Sequence, residues 1–351
     1  MAEMTYLDDI RMVSCLHDLP WNKLSHCNIL VAGASGLIGS CLIEVLMERQ
    51  QRDYEVYAMG RKKERMEKLF DKYLSDKAFH IVLGDVTQSF SFEEPFHYII
   101  HAASGAGPSD FSCHPVEVMK ANLDGVVNLI EYGRCHDMKR LLYISSGEVY
   151  GQGDGRVFTE DYSGYVDPTN PRSCYPSSKR AAETLCVSYA SEYDVDIVIA
   201  RPCHVYGPHF TESDNRVYAQ FIRNVLNNED IVMKSSGQQF RSWCYVVDCV
   251  SALLYILLKG DRGHAYNVAD SNSNVTIKQL AEIIANIGKR RVVIDIPSEI
   301  ERKGYNVVIR SIYSVKKVSK LGFKPFTSLN EGLIKTIDYI GNKNDKLYKF
   351  R

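Results

Sequence analysis

The sequence lacks an excess of charge of either sign. Its 42 Lys and Arg side chains almost balance 43 Asp and Glu side chains, and the net charge is −1. Proteins that hold nucleic acid usually present a basic face, because contacts to phosphate supply much of the affinity. We therefore expect no nucleic-acid partner, although a local basic pocket remains compatible with this balance.

Long apolar segments are missing as well. No apolar run approaches the roughly 18 residues of a membrane-spanning helix, and residues 1–25 lack the pattern of a signal peptide. The ten cysteines include no C-x-x-C pair, and several lie in apolar runs, where buried free thiols are the ordinary interpretation. These absences predict a cytoplasmic protein in a reducing compartment, with no membrane partner and no metal site.

What is present is a regular alternation of apolar strands and helices, followed by a mixed order. The alternation predicts an α/β fold with a Rossmann-like, doubly wound parallel sheet covered on both faces. Predicted strands cover 28–31, 55–59, 80–83, 98–101, 141–145 and 196–200, and predicted helices cover 37–49, 62–73, 116–135 and 175–193. After residue 201, helices near 217–226, 247–258, 276–287 and 329–340 indicate a smaller mixed α/β lobe for the substrate.

The predicted organisation has four parts. Residues 1–26 form a polar extension with a short helix packed outside the main domain, and 27–202 form the Rossmann-like nucleotide-binding domain. Residues 203–341 form mainly the substrate lobe, with some segments returning to the first domain. Residues 342–351 form a charged, frayed tail.

A glycine motif connects the first predicted strand to the first predicted helix of the alternation. Small residues there let the backbone approach a pyrophosphate, which the N-terminus of the helix attracts. This context predicts a tightly bound dinucleotide, NAD or NADP, contacted by Gly33, Ser35, Gly36, Leu37, Ile38 and Gly39.

The second strand ends in Gly60, where an acid would bind the adenine ribose and favour NAD. Three cations follow, beginning with Arg61, and a guanidinium matches a 2′-phosphate, so NADP is an open and slightly favoured alternative. Otherwise Arg61 lies over the adenine or in solvent, and NAD still binds. Asp85, followed by Val86 after the third strand, is a candidate acceptor for the adenine amino group or a turn-forming aspartate.

Tyr175 and Lys179 lie four residues apart in a predicted helix, which places both side chains on one face. An ammonium beside a phenol favours phenolate, so this pair predicts a tyrosine pKa lowered from about 10 towards neutrality. Such a phenolate can take the proton of a sugar hydroxyl while a nicotinamide accepts the hydride. The pair alone is common on surface helices, but here it follows the glycine motif and the Ser145–Glu148 segment in order.

Together these segments resemble the extended short-chain dehydrogenase/reductase family of nucleotide-sugar epimerases, dehydratases and decarboxylases. The resemblance covers about residues 27–340 and includes 101–103, 145–151, 201–202, 206–208 and 245–248. It implies that Tyr175 is the base, that Lys179 grips the nicotinamide ribose, and that Ser146 hydrogen-bonds the sugar 4-hydroxyl. Further cofactor contacts are implied at Ala102, Ala103, Ser104, Asn122, Ser145 and Arg201.

The residues after Ser146 bear on the reaction. The 4,6-dehydratases of the family carry an Asp-Glu pair there to expel the C6 hydroxyl, whereas this chain has Gly147 and Glu148. The resemblance is closest to the UDP-glucuronate decarboxylases, in which oxidation at C4 creates a β-keto acid that loses carbon dioxide. The first alternative is 4-epimerisation, which needs only Tyr175, Lys179, Ser146 and room to turn the keto-sugar. Reduction with exchanged NADPH comes next, with 4,6-dehydration, which the missing acid disfavours, and finally a non-catalytic redox-sensing protein.

The same resemblance implies contacts to a nucleotide-diphosphate sugar and a homodimer. The substrate residues are Ser104, Phe111, Ser146, Gly147, Glu148, Arg172, His204, Arg216, Arg241 and Arg310. Arg310 is assigned to the ligand by its spacing from Lys324, and the alternative is a solvated charge. His204 stands where the family has an asparagine, and the alternative to a ligand contact is a packing role. The homodimer is implied because apolar stripes on the helices 116–135 and 175–193 pair across a twofold axis in relatives. The alternative is that these stripes simply pack on the sheet.

Overall fold

The structure is a computed structural model that describes residues 4–90, 92–211, 214–295 and 309–348, with side chains described as far as residue 342. The helices are α1 (Tyr6–Ser14), α2 (Leu37–Glu48), α3 (Lys63–Leu69), α4 (Pro108–Cys113), α5 (Pro115–Cys135), α6 (Cys174–Glu192), α7 (Val217–Leu226), α8 (Val246–Lys259), α9 (Ile277–Ile287), α10 (Lys316–Ser319) and α11 (Leu329–Tyr348). The strands are β1 (Asn28–Ala32), β2 (Glu55–Gly60), β3 (Phe79–Leu83), β4 (Tyr98–His101), β5 (Arg140–Ile144), β6 (Ile197–Pro202), β7 (His204–Tyr206), β8 (Ile231–Met233), β9 (Phe240–Tyr245), β10 (Ala265–Val268), β11 (Asn274–Thr276), β12 (Val292–Ile294) and β13 (Arg310–Ser311).

Seven parallel strands form the central sheet, in the order β10-β6-β5-β4-β1-β2-β3. Helices α2 and α8 pack on one face of the sheet, and α5 and α6 pack on the other. Because β1 pairs with β2 on one side and β4 on the other, the order reverses at β1. Ligands bind at such a reversal, outside the carboxyl ends of the strands. The predicted Rossmann-like fold is confirmed.

A smaller sheet forms around β9 beside the central one. Strand β11 pairs antiparallel with β9, while β7 and β13 pair parallel with it. Strands β8 and β12 form a separate parallel pair. Strand β10 lies within 203–341 but joins the edge of the central sheet, next to β6. Only one residue separates the end of β6 from the start of β7, which places the smaller sheet beside the carboxyl ends of the central strands.

The N-terminal helix α1 is part of the main core. Tyr6, Ile10 and Val13 are fully buried there, and Asp9 pairs with Lys335 of α11 at 2.9 Å. The predicted short helix is confirmed, but its predicted place outside the main domain is wrong. Its charged residues look solvent-exposed in the sequence because the partner of Asp9 comes from a distant helix.

Helix α11 runs to Tyr348, so the frayed tail predicted from residue 342 is wrong as far as Tyr348, and residues 349–351 lie outside the described residues. All ten cysteines are free thiols, in agreement with the sequence-based interpretation. None of the helices in the described ranges combines the length and apolar character needed to cross a bilayer.

Candidate active site

The turn between β1 and α2 has room only for glycine at two positions. Gly33 has a φ of +86°, and a Cβ on it would lie 2.6 Å from the backbone of Ala102 and Ala103 after β4. A Cβ on Gly39 would lie 2.4 Å from the carbonyl oxygen of Gly33. Gly36 precedes α2 as its N-cap and contributes no side chain to cap it. The first N–H groups of α2 therefore meet a backbone cradle suited to a pyrophosphate.

The end of β2 carries the residues predicted to meet the adenine ribose. The Arg61 guanidinium lies 3.7 Å from the carboxylate of Asp85, so these two predicted cofactor residues are neighbours. Arg65 donates a hydrogen bond of 2.8 Å to the carbonyl of Ser35 in the glycine turn. A Cβ on Gly60 would lie 2.8 Å from the sulfur of Met66, so an acid at that position would require Met66 to move.

Two predicted cofactor residues present buried polar atoms that lack protein partners. The hydroxyl of Ser145, directly after β5, has no hydrogen-bond partner among the described residues. Asn122 donates to the Ser178 hydroxyl at 2.9 Å, but its carbonyl oxygen has no partner in the same described part of the chain. Buried polar atoms are normally satisfied, and Ser145 lines the central cavity whereas Asn122 does not, so the Ser145 hydroxyl indicates a polar ligand there. Together with the glycine cradle, this hydroxyl fits a bound dinucleotide.

Lys179 is buried beneath the centre of the site. Its ammonium donates to the carbonyl of Ile144 at 2.8 Å and lies 5.7 Å from the ring centroid of Tyr175. Burial lowers the pKa of Lys179 to about 7, so its charge titrates near neutrality.

Tyr175 is also buried, and its pKa is raised to about 12 by burial and then by the negative charge of Glu148. A hydrogen bond with the Ser146 hydroxyl and the charges of Arg216 and Arg172 act in the opposite direction. The prediction that the pair with Lys179 lowers this pKa towards neutrality is therefore wrong. Sequence spacing gives the proximity of the two residues but not their burial.

The sugar side of the site is built from three stacked groups. Arg172 binds both carboxylate oxygens of Glu148, at 3.0 and 3.1 Å. Its guanidinium lies 4.4 Å from the ring centroid of Phe111, and that ring stacks on Tyr175 at 4.7 Å. These contacts bring predicted substrate residues against the predicted base.

Tyr313 is a cavity residue that sequence reasoning missed. A Cβ on Gly147 would lie 2.4 Å from the Tyr313 hydroxyl, so the phenol fills the space in which a side chain at position 147 would begin. Arg310, predicted to reach the ligand, is exposed and does not line the cavity. Its assignment rested on spacing along the chain, and no signal in the sequence distinguished Tyr313.

The far end of the cavity contains two arginines and a histidine. Arg216 is held by Asp214, with 2.9 Å between Nε and Oδ1, and Arg241 is buried on β9. His204 packs on Trp243 with ring centroids 5.3 Å apart. Burial, followed by the charge of Arg241, lowers the pKa of His204 to about 3, so the imidazole is neutral. His204 lines the cavity, and its Nδ1 has no hydrogen-bond partner among the described residues, so both a packing role and a ligand contact fit it. The arginines suit a diphosphate.

Arg201 is not brought into the cavity. It binds Glu183 of α6 at 2.9 Å, the Tyr150 hydroxyl at 2.9 Å and the carbonyl of Glu160 at 2.7 Å. Its neighbour Pro202 lines the cavity instead. The predicted cofactor contact through the Arg201 side chain is therefore not supported, because these donors fasten β6 to α6.

Most of the predicted substrate residues and several predicted cofactor residues surround one cavity of about 540 Å³, a size typical of small-molecule sites. Leu37 and Val86 are instead buried in the two hydrophobic cores that flank the sheet. The predicted residues that line the cavity are Ile38, Ala102, Ser104, Phe111, Ser145, Ser146, Gly147, Glu148, Arg172, Tyr175, Lys179, His204, Arg216 and Arg241.

Comparisons with known proteins agree with this geometry. The model of the NAD-dependent epimerase/dehydratase family matches residues 29–269. UDP-glucuronic acid decarboxylase 6 of Arabidopsis thaliana is 33% identical over 312 residues, which cover 88% of this chain and 87% of the relative. UDP-glucuronic acid decarboxylase 1 of Xenopus tropicalis is 30% identical over 314 residues, which cover 89% and 71% respectively.

Solved structures of other proteins share the fold of this chain. The UDP-glucose 4-epimerase of Thermotoga maritima, with UDP-glucose, has a TM-score of 0.75 at 25% identity and covers 90% of this chain and 99% of that one. The dTDP-glucose 4,6-dehydratase of Bacillus anthracis, in complex with NAD, has a TM-score of 0.75 at 20% identity, with coverages of 91% and 98%, and shares the fold. With its family model, its relatives and its Tyr-Lys site in agreement, the chain belongs to the NAD-dependent epimerase/dehydratase family of extended short-chain dehydrogenases/reductases.

Proposed function

We propose that this chain decarboxylates a nucleoside-diphosphate uronate, such as UDP-glucuronate, after oxidation of the sugar at C4. The observation that carries the proposal is the packing of Tyr313 over Gly147. Dehydration needs a strong acid beside Glu148, and the phenol occupies the space from which a carboxylic acid at position 147 would extend. A β-keto acid loses carbon dioxide without such an acid. The similarity to UDP-glucuronic acid decarboxylases supports the same choice.

Each side chain of the site has a distinct role in this reaction. Tyr175 takes the proton of the sugar 4-hydroxyl, and Ser146 hydrogen-bonds the same region, because the two side chains already share a hydrogen bond. Lys179 lies buried beneath them and provides a cation where the dinucleotide is held. Bound NAD or NADP supplies the hydride acceptor at C4. Arg216 and Arg241 bind the diphosphate.

The second candidate is 4-epimerisation, and a specific observation favours it. A uronate needs a cation near its C6 carboxylate. Arg310 lies outside the cavity, and the guanidinium of Arg172 is engaged by Glu148. A neutral hexose would not need that cation.

Product analysis separates the two reactions. The purified chain is incubated with UDP-glucuronate, UDP-glucose, and CDP-, GDP- and dTDP-sugars, and carbon dioxide and the sugar products are measured. Decarboxylation predicts carbon dioxide and a UDP-pentose from UDP-glucuronate. An epimer from one sugar, with carbon dioxide from none, would replace it by epimerisation. The Tyr175→Phe variant is the control and should lose the activity; full activity in it would remove Tyr175 as the base. Turnover of none of these sugars by the wild type would remove both reactions in favour of a non-catalytic binding role.

For the cofactor, we propose that NADP binds at least as tightly as NAD. Arg61 and Arg65 bring guanidinium groups to the end of β2 and to the glycine turn, and an acid in place of Gly60 would require Met66 to move. Calorimetry should give a Kd for NADP no higher than that for NAD, and Arg61→Ala should weaken NADP selectively. Arg11→Ala, which removes an exposed arginine paired with Asp8 on α1, is the matched control. Equal loss of NAD affinity in Arg61→Ala would contradict the proposal.

We also propose a homodimer through α5 and α6. Four large apolar side chains on these helices are exposed, counting Tyr193, which directly follows α6. They are Val116, Met119, Val187 and Tyr193. A second copy of the chain would cover these apolar side chains in a twofold dimer. Light scattering should give twice the chain mass, and Val116→Asp together with Val187→Asp should give the monomer. A monomeric wild type would contradict it.

A further inference from the structure

We propose that Tyr313 donates the proton to C5 of the sugar after carbon dioxide is lost, an inference that rests on the decarboxylase function proposed above. The Tyr313 side chain enters the cavity from the segment after β13 and covers Gly147. The preceding residue, Ser146, hydrogen-bonds Tyr175. Successive Cα atoms are about 3.8 Å apart. Tyr175 and Tyr313 therefore contact consecutive residues of one turn, an arrangement that suits action at the neighbouring sugar atoms C4 and C5.

The surroundings of Tyr313 fix its ring and its charge. The ring packs against Tyr150 and Phe158, with centroids 5.8 and 5.6 Å away. Burial and the charge of Glu148 raise the pKa of Tyr313, so the hydroxyl carries its proton at neutral pH. Arg241 acts in the opposite direction and stabilises a phenolate. It is near because its own position on β9 pairs with Ser311 of β13.

The proposed step balances without a further reactant. Loss of carbon dioxide breaks the C5–C6 bond, and its electron pair becomes an enolate spread over C5, C4 and the C4 oxygen. The enolate pair forms a bond from C5 to the Tyr313 proton, and the O–H electron pair stays on the phenolate oxygen. Water then returns a proton to the phenolate oxygen. A leaving hydroxide would require a stronger acid than a buried phenol, so the same group does not serve dehydration.

The test follows the proton in D2O with UDP-glucuronate. The wild type should give a UDP-pentose with one deuterium at C5 and a single stereochemistry. Tyr313→Phe keeps the ring and removes the donor, so kcat should fall about 10²- to 10⁴-fold, with little change in KM. Carbon dioxide should then exceed the reduced sugar product, and the deuterium should lose its single stereochemistry. Tyr162→Phe, in the same aromatic cluster but outside the cavity, should match the wild type.

A second variant keeps the inference testable if Tyr313→Phe does not fold. The added Cβ of Gly147→Ala displaces the Tyr313 hydroxyl and should give the same loss of kcat and of stereochemistry. Wild-type protein that releases no carbon dioxide from any uronate overturns the proposed function, and the donor role with it. Carbon dioxide release by the wild type, with unchanged kcat and deuterium stereochemistry in folded Tyr313→Phe or Gly147→Ala, overturns the donor role alone.

Discussion

Arg172 binds both carboxylate oxygens of Glu148, and the pair lies beside the buried phenol of Tyr175 with opposite effects on its proton. Glu148 raises the pKa of Tyr175, and Arg172 lowers it. The ion pair therefore adjusts the pKa of Tyr175. Its effect matters because Lys179, which lies beneath Tyr175, is itself only partly charged near neutral pH. Removing either member should shift the pH dependence of activity in a predictable direction.

Arg172→Ala should move the pH profile of activity to higher pH. Tyr175 must lose its proton to act as a base, so activity rises with pH through its pKa. Without the guanidinium that pKa increases, and the rising limb of kcat/KM should move with it, so that a displacement of one pH unit lowers the rate on the limb about tenfold. The pH profile of kcat/KM measures it. Arg156→Ala, which removes an exposed arginine paired with Asp154, should leave the profile in place. An unmoved limb in Arg172→Ala would contradict the assignment.

Glu148→Gln should move the same limb the other way. Loss of the carboxylate removes a charge that raises the pKa of Tyr175 and leaves the Arg172 cation uncompensated. Both changes favour the phenolate, so the limb should shift to lower pH while the maximum rate falls. The measurement is again kcat/KM against pH, on the same substrate. A shift to higher pH would show that Glu148 acts on the base through something other than its charge.

Gly33→Ala should destabilise the protein and abolish dinucleotide binding. The strained backbone costs about 1–3 kcal/mol, and crowding against Ala102 adds about 1–3 kcal/mol. Urea unfolding and a dinucleotide titration measure the two effects. Gly263→Ala is the matched control, because Gly263 has a φ of +75° but no atom within 4 Å of an added Cβ. If the two variants lose equal stability, crowding at Gly33 is not the cause.

Lys335→Met should cost about 3–5 kcal/mol of unfolding free energy, because it leaves the carboxylate of Asp9 buried without its cation. Asp9 is fully buried, and its pKa is already raised by burial despite the contact with Lys335. Urea denaturation followed by circular dichroism measures the change. Lys278→Met breaks an exposed pair with Glu282 and should cost less than about 1 kcal/mol. Similar losses in both variants would argue against the buried pair.

The sequence predicts best what depends on neighbouring residues. The turn at Gly33 and the proximity of Tyr175 to Lys179 follow from local geometry, because a tight turn and a helix period need only a few consecutive residues. The parallel sheet follows from the alternation of strands and helices. These local features account for most of the predicted cofactor-binding residues.

What could not be predicted depends on contacts between distant residues or on burial. Tyr313 reaches Gly147 from a distant part of the chain, and no local pattern indicates that contact. Arg201 and Arg310 were assigned by motif and spacing, but the first binds Glu183 and the second is exposed. The pKa of Tyr175 was predicted from one cation, whereas burial is the largest cause of its change.

The contact between α1 and α11 has a consequence for how the chain acquires its structure. Asp9 and Lys335 are separated by 326 positions, so the cation arrives only after almost every other element has been made. Contacts between distant positions form slowly, because the intervening loop must close first. During synthesis, Tyr6, Ile10 and Val13 would remain without part of their cover until α11 leaves the ribosome. The last helix thus completes the folding of the first, and a chain stalled before residue 335 should expose α1 to proteases and chaperones.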